Sequence, residues 1–393
     1  MSRWIKYNYL VIPILYVFVA LFATNRNYFL PPTSMPNVLC DVSQFNNFVI
    51  FKSSFFHLIH DFDLYRSYPN EHYDLFKYTP TFSLFMVIFA YLPNYIGLLI
   101  WNLLNVLVPL YAIHQVIGLS QKNKAVFMVL MLPEFFTTIL NSQSNGLILG
   151  LLILSFVNIQ RNHTGKAVFF TLLTAFIKLF GVFFFAVFLL YPKQILKSVK
   201  FVLCYGLILF VLPLLVVDIG QLKNLYFSYF ELLKNDGTQF VKYSFTGWLN
   251  QWFSFYPSKN LVVLFGLILQ SLPLLMIKLW TEKTKIVYAC TLLIWMVIFN
   301  HMAESATFII AVGAIYVAFA TYEKLPNGIL FLIIFMLLTT ELGPSDLYSK
   351  KWRIWIVETA QLKVFPCILI WIVLIFETIR LDLRNKAITL NYK

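Results

Sequence analysis

Thr81-Phe-Ser-Leu-Phe-Met-Val-Ile-Phe-Ala-Tyr-Leu92, closed by Pro93-Asn94, is the stretch whose reading decides the fold. It is as apolar as a membrane span but holds only 12 residues. A crossing needs about 20 apolar residues, with about 17 to 25 as the range. The run is therefore read as re-entrant or interfacial, and it does not cross. If it crossed, every later segment would change sides.

The distribution of lysine and arginine supports this reading. Basic residues gather in short loops on the cytoplasmic side of membrane proteins. A first span over 7–24 follows Arg3 and Lys6, so the N-terminus is inside. With 81–92 not crossing, 96–118 runs inward and places Lys122 and Lys124 inside. Spans 125–140 and 146–160 go out and return to Arg161 and Lys166. The run 167–191 carries Lys178 at its centre and reads as two short helices in a hairpin, with the lysine at the outer apex. Lys193, Lys197 and Lys200 then lie inside. Spans 201–217, 260–278, 286–300, 304–321, 328–340 and 364–379 follow, ending inside at Arg380, Arg384 and Lys386.

The expectation is an all-α polytopic membrane protein of about twelve spans in one transmembrane domain over 1–393. Residues 25–95 form a first outer loop with interfacial and re-entrant helices, and 218–259 a second large outer loop. The interfacial helix covers Phe45 to Ile59, where Phe48, Phe51, Phe55, Phe56 and Ile59 recur near helical spacing.

Composition agrees. Of the 393 residues, 60% are hydrophobic and 12% charged, and mean hydropathy is +0.76, against about 25% charged in soluble domains. The net charge of +13 is accounted for by the inside loops, so no nucleic-acid partner is inferred. Cys40, Cys204, Cys290 and Cys367 are far apart, have no metal-ligand spacing, and read as packing residues. The segment after Lys6 lacks a clear small-x-small cleavage site and reads as a retained span. No internal repeat is visible, which argues mildly against repeat-built transporters.

Ionisable groups inside a membrane are costly, which directs attention to Lys178, a cation suited to a phosphate. Glu134 follows Pro133 inside span 125–140. Asn300-His301-Met-Ala-Glu304-Ser305 breaks two apolar runs at the outer face. Asn141-Ser-Gln143-Ser-Asn145-Gly146 suits sugar hydroxyls or a helix cap. The outer stretch 41–80 holds His57, His60 and His72 and supplies the carboxylates Asp41, Asp61, Asp63, Glu71 and Asp74, one of which could serve as a general base. No His/Cys spacing fits zinc. No cofactor is inferred, and the need for a divalent ion stays open.

The order of these features resembles the GT-C membrane glycosyltransferases, most closely family 87, the polyprenol-phosphate-mannose-dependent type. The resemblance rests on Asn47-Phe48-Val-Ile-Phe51-Lys-Ser53-Ser54, Asp63-Leu64-Tyr65, Tyr78-Thr79-Pro80-Thr81-Phe82 and Leu99-Ile-Trp101-Asn102-Leu-Leu-Asn105. Gln143-Ser-Asn145-Gly-Leu-Ile-Leu-Gly150, Ala175-Phe-Ile-Lys178 and His301 to Ser305 continue it. It departs at one position: where the family pattern has an acid, this chain has Asn47, preceded by Asn46. An amide takes no proton at neutral pH, so Asp41 is the first choice for a relocated base.

The resemblance implies a GT-C-like fold and an inverting hexosyltransferase. It would move a hexose, mannose first, from a polyprenyl-phosphate donor to a lipid or glycan acceptor outside a bacterial inner membrane. Asp41 and Asn47 fall at the catalytic position. Lys52, Lys178, His301 and Glu304 fall on the donor, and Tyr78, Gln143, Asn145 and Asn250 on the substrate. A flippase, or a non-catalytic binding partner for polyprenyl-linked sugars, uses the same lysine and polar breaks without a base and stays open.

Overall fold

The structure is a computed structural model that describes residues 3–36, 38–236 and 243–391; residues 237–242 of the expected second outer loop lie outside the described residues. Among the described residues there is no strand, only an isolated antiparallel bridge between Thr33 and Val42. In chain order the α-helices are α1 (Arg3–Phe29), α2 (Asn46–Ile59), α3 (Pro80–Phe85), α4 (Val87–Ala90), α5 (Asn94–Gln115), α6 (Gln121–Leu130) and α7 (Leu132–Leu140). Then come α8 (Asn145–Gln160), α9 (Thr164–Ile177), α10 (Phe180–Phe184), α11 (Ile195–Val211), α12 (Ile219–Asp236) and α13 (Phe245–Phe253). The last are α14 (Lys259–Ser271), α15 (Glu282–Ile298), α16 (Phe308–Phe319), α17 (Asn327–Met336), α18 (Lys350–Ile354) and α19 (Phe365–Asn391).

The chain forms two compact units, Pro13–Gln115 with Thr138–Gln239, and Met1–Ile12 with Val116–Thr137 and Phe240–Lys393. In the first unit the run 81–92 folds as the two short helices α3 and α4, neither long enough to cross. Helix α2 turns Phe48, Phe51 and Phe55 into the protein. Phe51 meets Phe82 at 5.4 Å and Trp101 at 5.6 Å between ring centroids. Three rings of its aromatic stripe thus pack inside the protein, where neighbouring rings offer edge-to-face partners.

Helices α5 and α8 touch backbone to backbone. A Cβ on Gly146 would stand 2.2 Å from Asn105 O, and one on Gly150 would stand 2.6 Å from Pro109 N. Small residues four apart allow this approach where lipid gives helices no hydrophobic drive to associate. Helix α9 stops at Ile177, and Lys178 is extended at φ −138, ψ 148. The chain then folds back, since a Cβ on Gly181 would come 2.4 Å from Thr171 O in α9. The two helices expected within 167–191, with Lys178 at their break, are both present.

In the second unit, α15 and α16 are buried along nearly their whole length, as helices apolar all round must be. Helices α6 and α7 meet at a bend of 44°. Pro133, one residue into α7, has no N–H to extend the ladder of α6.

Among the described residues four helices are long and apolar enough to cross a membrane: Val11–Phe29, Asn94–Gln115, Pro192–Leu215 and Lys259–Ile277. The bent pair α6–α7 makes a fifth if it counts as one span. The dozen spans expected from apolar runs are therefore not all matched by helix length. Asn145–Gln160, Thr164–Ile177, Phe180–Leu190, Ser305–Phe319 and Asn327–Glu341 are apolar but shorter.

Candidate active site

The first unit is organised around Asn141-Ser142-Gln143-Ser144, the turn joining α7 to α8. Asn27 donates to Leu140 O at 2.7 Å, Asn47 to Asn141 O at 2.8 Å, and Trp101 Nε1 to Ser142 O at 3.0 Å. Asn105 Oδ1 accepts from Leu147 N at 2.9 Å. Three helices, α1, α2 and α5, thus hold the turn and the first residues of α8. Ser142 adopts a left-handed φ of +51, a conformation that L-residues take at a cost.

Two side chains from beyond the turn reach it. Tyr78 OH donates to Gln143 Oε1 at 3.1 Å. Lys178 Nζ donates to Asn145 Oδ1 at 3.2 Å and stands 5.5 Å from the centroid of the Tyr78 ring. The lysine can only donate, which fixes the Asn145 carbonyl toward it and turns Nδ2 elsewhere. Among the described residues Asn145 Nδ2, Ser142 Oγ and Ser144 Oγ are buried with no hydrogen-bond partner. Buried polar groups are normally paired, so three such atoms in four residues beside a lysine fit a polar ligand. Four of the expected site residues therefore come together: Tyr78, Gln143, Asn145 and Lys178. Asn47 clamps the same turn.

Elsewhere the expected residues have local partners. Lys52 Nζ donates to Leu92 O at 2.7 Å and Asn94 Oδ1 at 2.8 Å, bridging the end of α4 to the start of α5. Burial pushes its pKa down. Asp41 is exposed and accepts from Ser34 Oγ at 3.0 Å. In the second unit Asn250, with its amide nitrogen turned toward two carbonyls, donates to Phe255 O at 2.6 Å and Thr246 O at 3.1 Å. His301 is half-buried in the turn between α15 and α16. Glu304 caps the turn that opens α16, its carboxylate on the Thr307 N–H and its own N–H on Thr307 Oγ1 at 3.2 Å. This is a reciprocal capping box.

The first outer loop holds a further cluster. His57 Nε2 lies 3.0 Å from Glu71 Oε2, and its ring stacks on Tyr68 at 3.9 Å. His57 and His72 are both buried. Burial lowers both pKa values, with the Glu71 charge opposing it.

The second unit holds a charged group that sequence reading found only in part. Lys363 Nζ meets Glu134 Oε1 and Oε2 at 3.2 and 3.1 Å and Thr340 O at 2.8 Å. Tyr316 OH donates to Glu341 Oε1 at 2.6 Å. Glu134 stood out as an acid in an apolar run. Lys363 stood at the end of a polar loop and gave no such signal. Among the described residues no three His, Cys, Asp or Glu side chains gather closely enough to hold a metal ion.

All-helical among its described residues, with several span-length apolar helices, the chain is a membrane protein whose buried polar turn meets a lysine at a helix break. The sequence model of glycosyltransferase family 87 matches residues 76–340, about two thirds of the chain, and the chain belongs to that family. Tyr78, Gln143, Asn145, Lys178, Asn250, His301 and Glu304 lie inside the matched region, whereas Asp41, Asn47 and Lys52 precede it. No curated protein matches the chain.

Proposed function

We propose that this glycosyltransferase moves a hexose, mannose first, from a polyprenyl-phosphate donor to a hydroxyl of a lipid-linked or glycan acceptor. The reaction takes place at the extracytoplasmic face of a bacterial inner membrane, with both chain termini cytoplasmic. The observation that carries this reading is the set of buried atoms without a partner among the described residues, Asn145 Nδ2, Ser142 Oγ and Ser144 Oγ, in the turn whose Asn145 meets Lys178. A cation next to hydroxyl and amide groups suits a sugar joined to a phosphate. The ammonium faces the phosphate oxygens, and the neutral groups face sugar hydroxyls.

The step is a single displacement with inversion. The acceptor oxygen bonds to the anomeric carbon. The bond from that carbon to the phosphate oxygen breaks, and its electron pair leaves with the polyprenyl phosphate. Lys178 stabilises the charge that grows on the departing phosphate. The acceptor proton goes to a carboxylate, for which Asp41 is the first choice, being exposed and accepting the Ser34 hydroxyl described above. His301 is a second donor-side candidate, whereas Lys52 and Glu304 already serve backbone groups.

A second reading, a non-catalytic carrier or binding partner for polyprenyl-linked sugars, is favoured by one observation. The side chain at position 47 is an amide that donates to a carbonyl, a task no carboxylate can perform. Transfer of radiolabelled mannose from polyprenyl phosphate to extracted membrane glycolipids by the purified protein decides between them. Transfer that is lost in Asp41→Asn and in Lys178→Ala is the expected result. Absence of transfer from every polyprenyl-phosphate hexose tried would overturn the enzyme reading and leave the carrier.

A further inference from the structure

Helix α13, the first residue of α19 and the segment before it build an aromatic shelf in the second unit. The Trp248 ring stacks on Phe365 at 5.2 Å, and Trp252 stacks on the same ring at 5.4 Å. Trp252 Nε1 donates to Ala360 O at 2.7 Å, which fixes the indole with 47% of its residue surface exposed. Polar residues adjoin the groups that hold this ring. Gln361, the residue after Ala360, is 7% exposed, and among the described residues its Oε1 has no partner. Nor does Trp248 Nε1, in the ring 5.9 Å from Trp252. Glu358 is exposed two residues before Ala360.

The backbone is held unusually around the shelf. Tyr243, Ser254 and Gln361 all have left-handed φ, at +45, +49 and +50. None is glycine, and each such residue is a local strain that the surrounding structure must enforce. They stand just before α13, just after it, and at the partnerless glutamine.

We infer that the shelf binds a pyranose ring of the acceptor glycan, with the sugar's C–H face on Trp252 and its hydroxyls toward Gln361 Oε1 and Trp248 Nε1. The acceptor role rests on the function proposed above; the binding itself does not. The chemistry selects this ligand. A partnerless N–H needs an acceptor and a partnerless carbonyl needs a donor. A hydroxyl is both, so a ring bearing several can satisfy both atoms. A pyranose also presents an apolar C–H face to an aromatic ring. A lipid chain would cover Trp252 equally well but would leave both polar atoms unpaired, which is the costly outcome. Sites of this kind join aromatic walls to a few placed polar groups.

The test is direct binding of soluble hexose trisaccharides, mannotriose first, to the purified full-length protein in detergent. It is read by saturation-transfer NMR and tryptophan fluorescence, with no donor present. Binding that saturates the ring C–H protons is expected. It weakens at least tenfold in Trp252→Ala and several-fold in Gln361→Leu, while Trp252→Phe, which keeps a ring face, retains most of it. Equal affinity in all three variants, or no binding across the trisaccharide panel, overturns the inference. So does quenching of Trp252 by brominated phospholipid in nanodiscs, which would make the shelf a membrane contact. Binding without any sugar transfer leaves the shelf standing and removes the enzyme reading; transfer without trisaccharide binding does the reverse.

Discussion

Lys363 Nζ lies 3.1 Å from Glu134 Oε2, and neither side chain has any exposed surface. The two residues are 229 positions apart. Each charge is compensated by the other. Removing one partner from a buried pair costs about 3–5 kcal/mol, because the remaining charge is uncompensated, whereas apolar replacement of both can be neutral. Lys363→Met alone is therefore expected to unfold at a markedly lower temperature in detergent and to lose monodispersity on gel filtration. Glu134→Leu combined with Lys363→Met is expected to regain most of the loss. A single variant as stable as the parent would show that the pair contributes nothing.

Asn145 tests the phosphate-binding role of Lys178 without removing the lysine. Asn145→Asp places a carboxylate where the amide oxygen now accepts from Lys178 Nζ at 3.2 Å. The lysine then has an internal counter-ion that competes with a phosphate. Affinity for a polyprenyl-phosphate sugar is expected to fall by about tenfold or more, equivalent to about 1.4 kcal/mol. The melting temperature is expected to hold or rise. Isothermal titration with the donor separates the two effects, and unchanged donor affinity in this variant would remove Lys178 from the donor site.

Much of the site was legible because it depends on local sequence. Lys178 interrupts an apolar run, and a charge there is costly enough to draw attention before any partner is known. Pro93 after a 12-residue run limits that run to helices too short to cross. Two kinds of fact were not legible. The count of crossings was not, because an apolar run says how much chain avoids water but not how many of its residues stay helical. Partners distant in sequence were not legible either. Lys52, expected on the donor, has Leu92 O and Asn94 Oδ1 at its ammonium, and neither partner shows in the sequence. Nor does the sequence show that Glu304, expected on the donor, forms a capping box with Thr307.

The histidines of the first outer loop predict an acid-sensitive fold. Burial lowers the pKa of His57 and of His72, so the folded chain prefers both neutral. The unfolded chain binds protons near the ordinary histidine value of about 6.5. Above that pH both states are neutral and the contribution to stability is fully present. As pH falls through about 6.5 and on through the lowered folded values, protonation of the unfolded state draws stability away. The melting temperature is expected to drop between about pH 7 and pH 5. His57→Gln with His72→Gln is expected to flatten that slope, and an unchanged slope would assign the acid sensitivity to other groups.

Position 47 separates two roles that lead to opposite results. Asn47 Nδ2 donates to Asn141 O at 2.8 Å and so ties the first turn of α2 to the polar turn that carries Gln143 and Asn145. In Asn47→Asp the ionised side chain cannot donate, and two oxygens face each other. The bond lies near solvent, so the carboxylate can turn outward, and the loss is expected to be that of one ordinary hydrogen bond, about 0.5–1.5 kcal/mol. If position 47 acts by holding the turn, Asn47→Asp lowers the melting temperature by a few degrees and adds no transfer activity. The deficit relative to the parent then shrinks as pH falls toward about 4, where a protonated carboxyl can donate again. If instead the position acts by accepting a proton from the acceptor, the same variant gains transfer activity, and the gain grows as pH rises through the carboxyl range. Transfer rate and melting temperature, measured for variant and parent across one pH series, distinguish the two by the sign of their slopes.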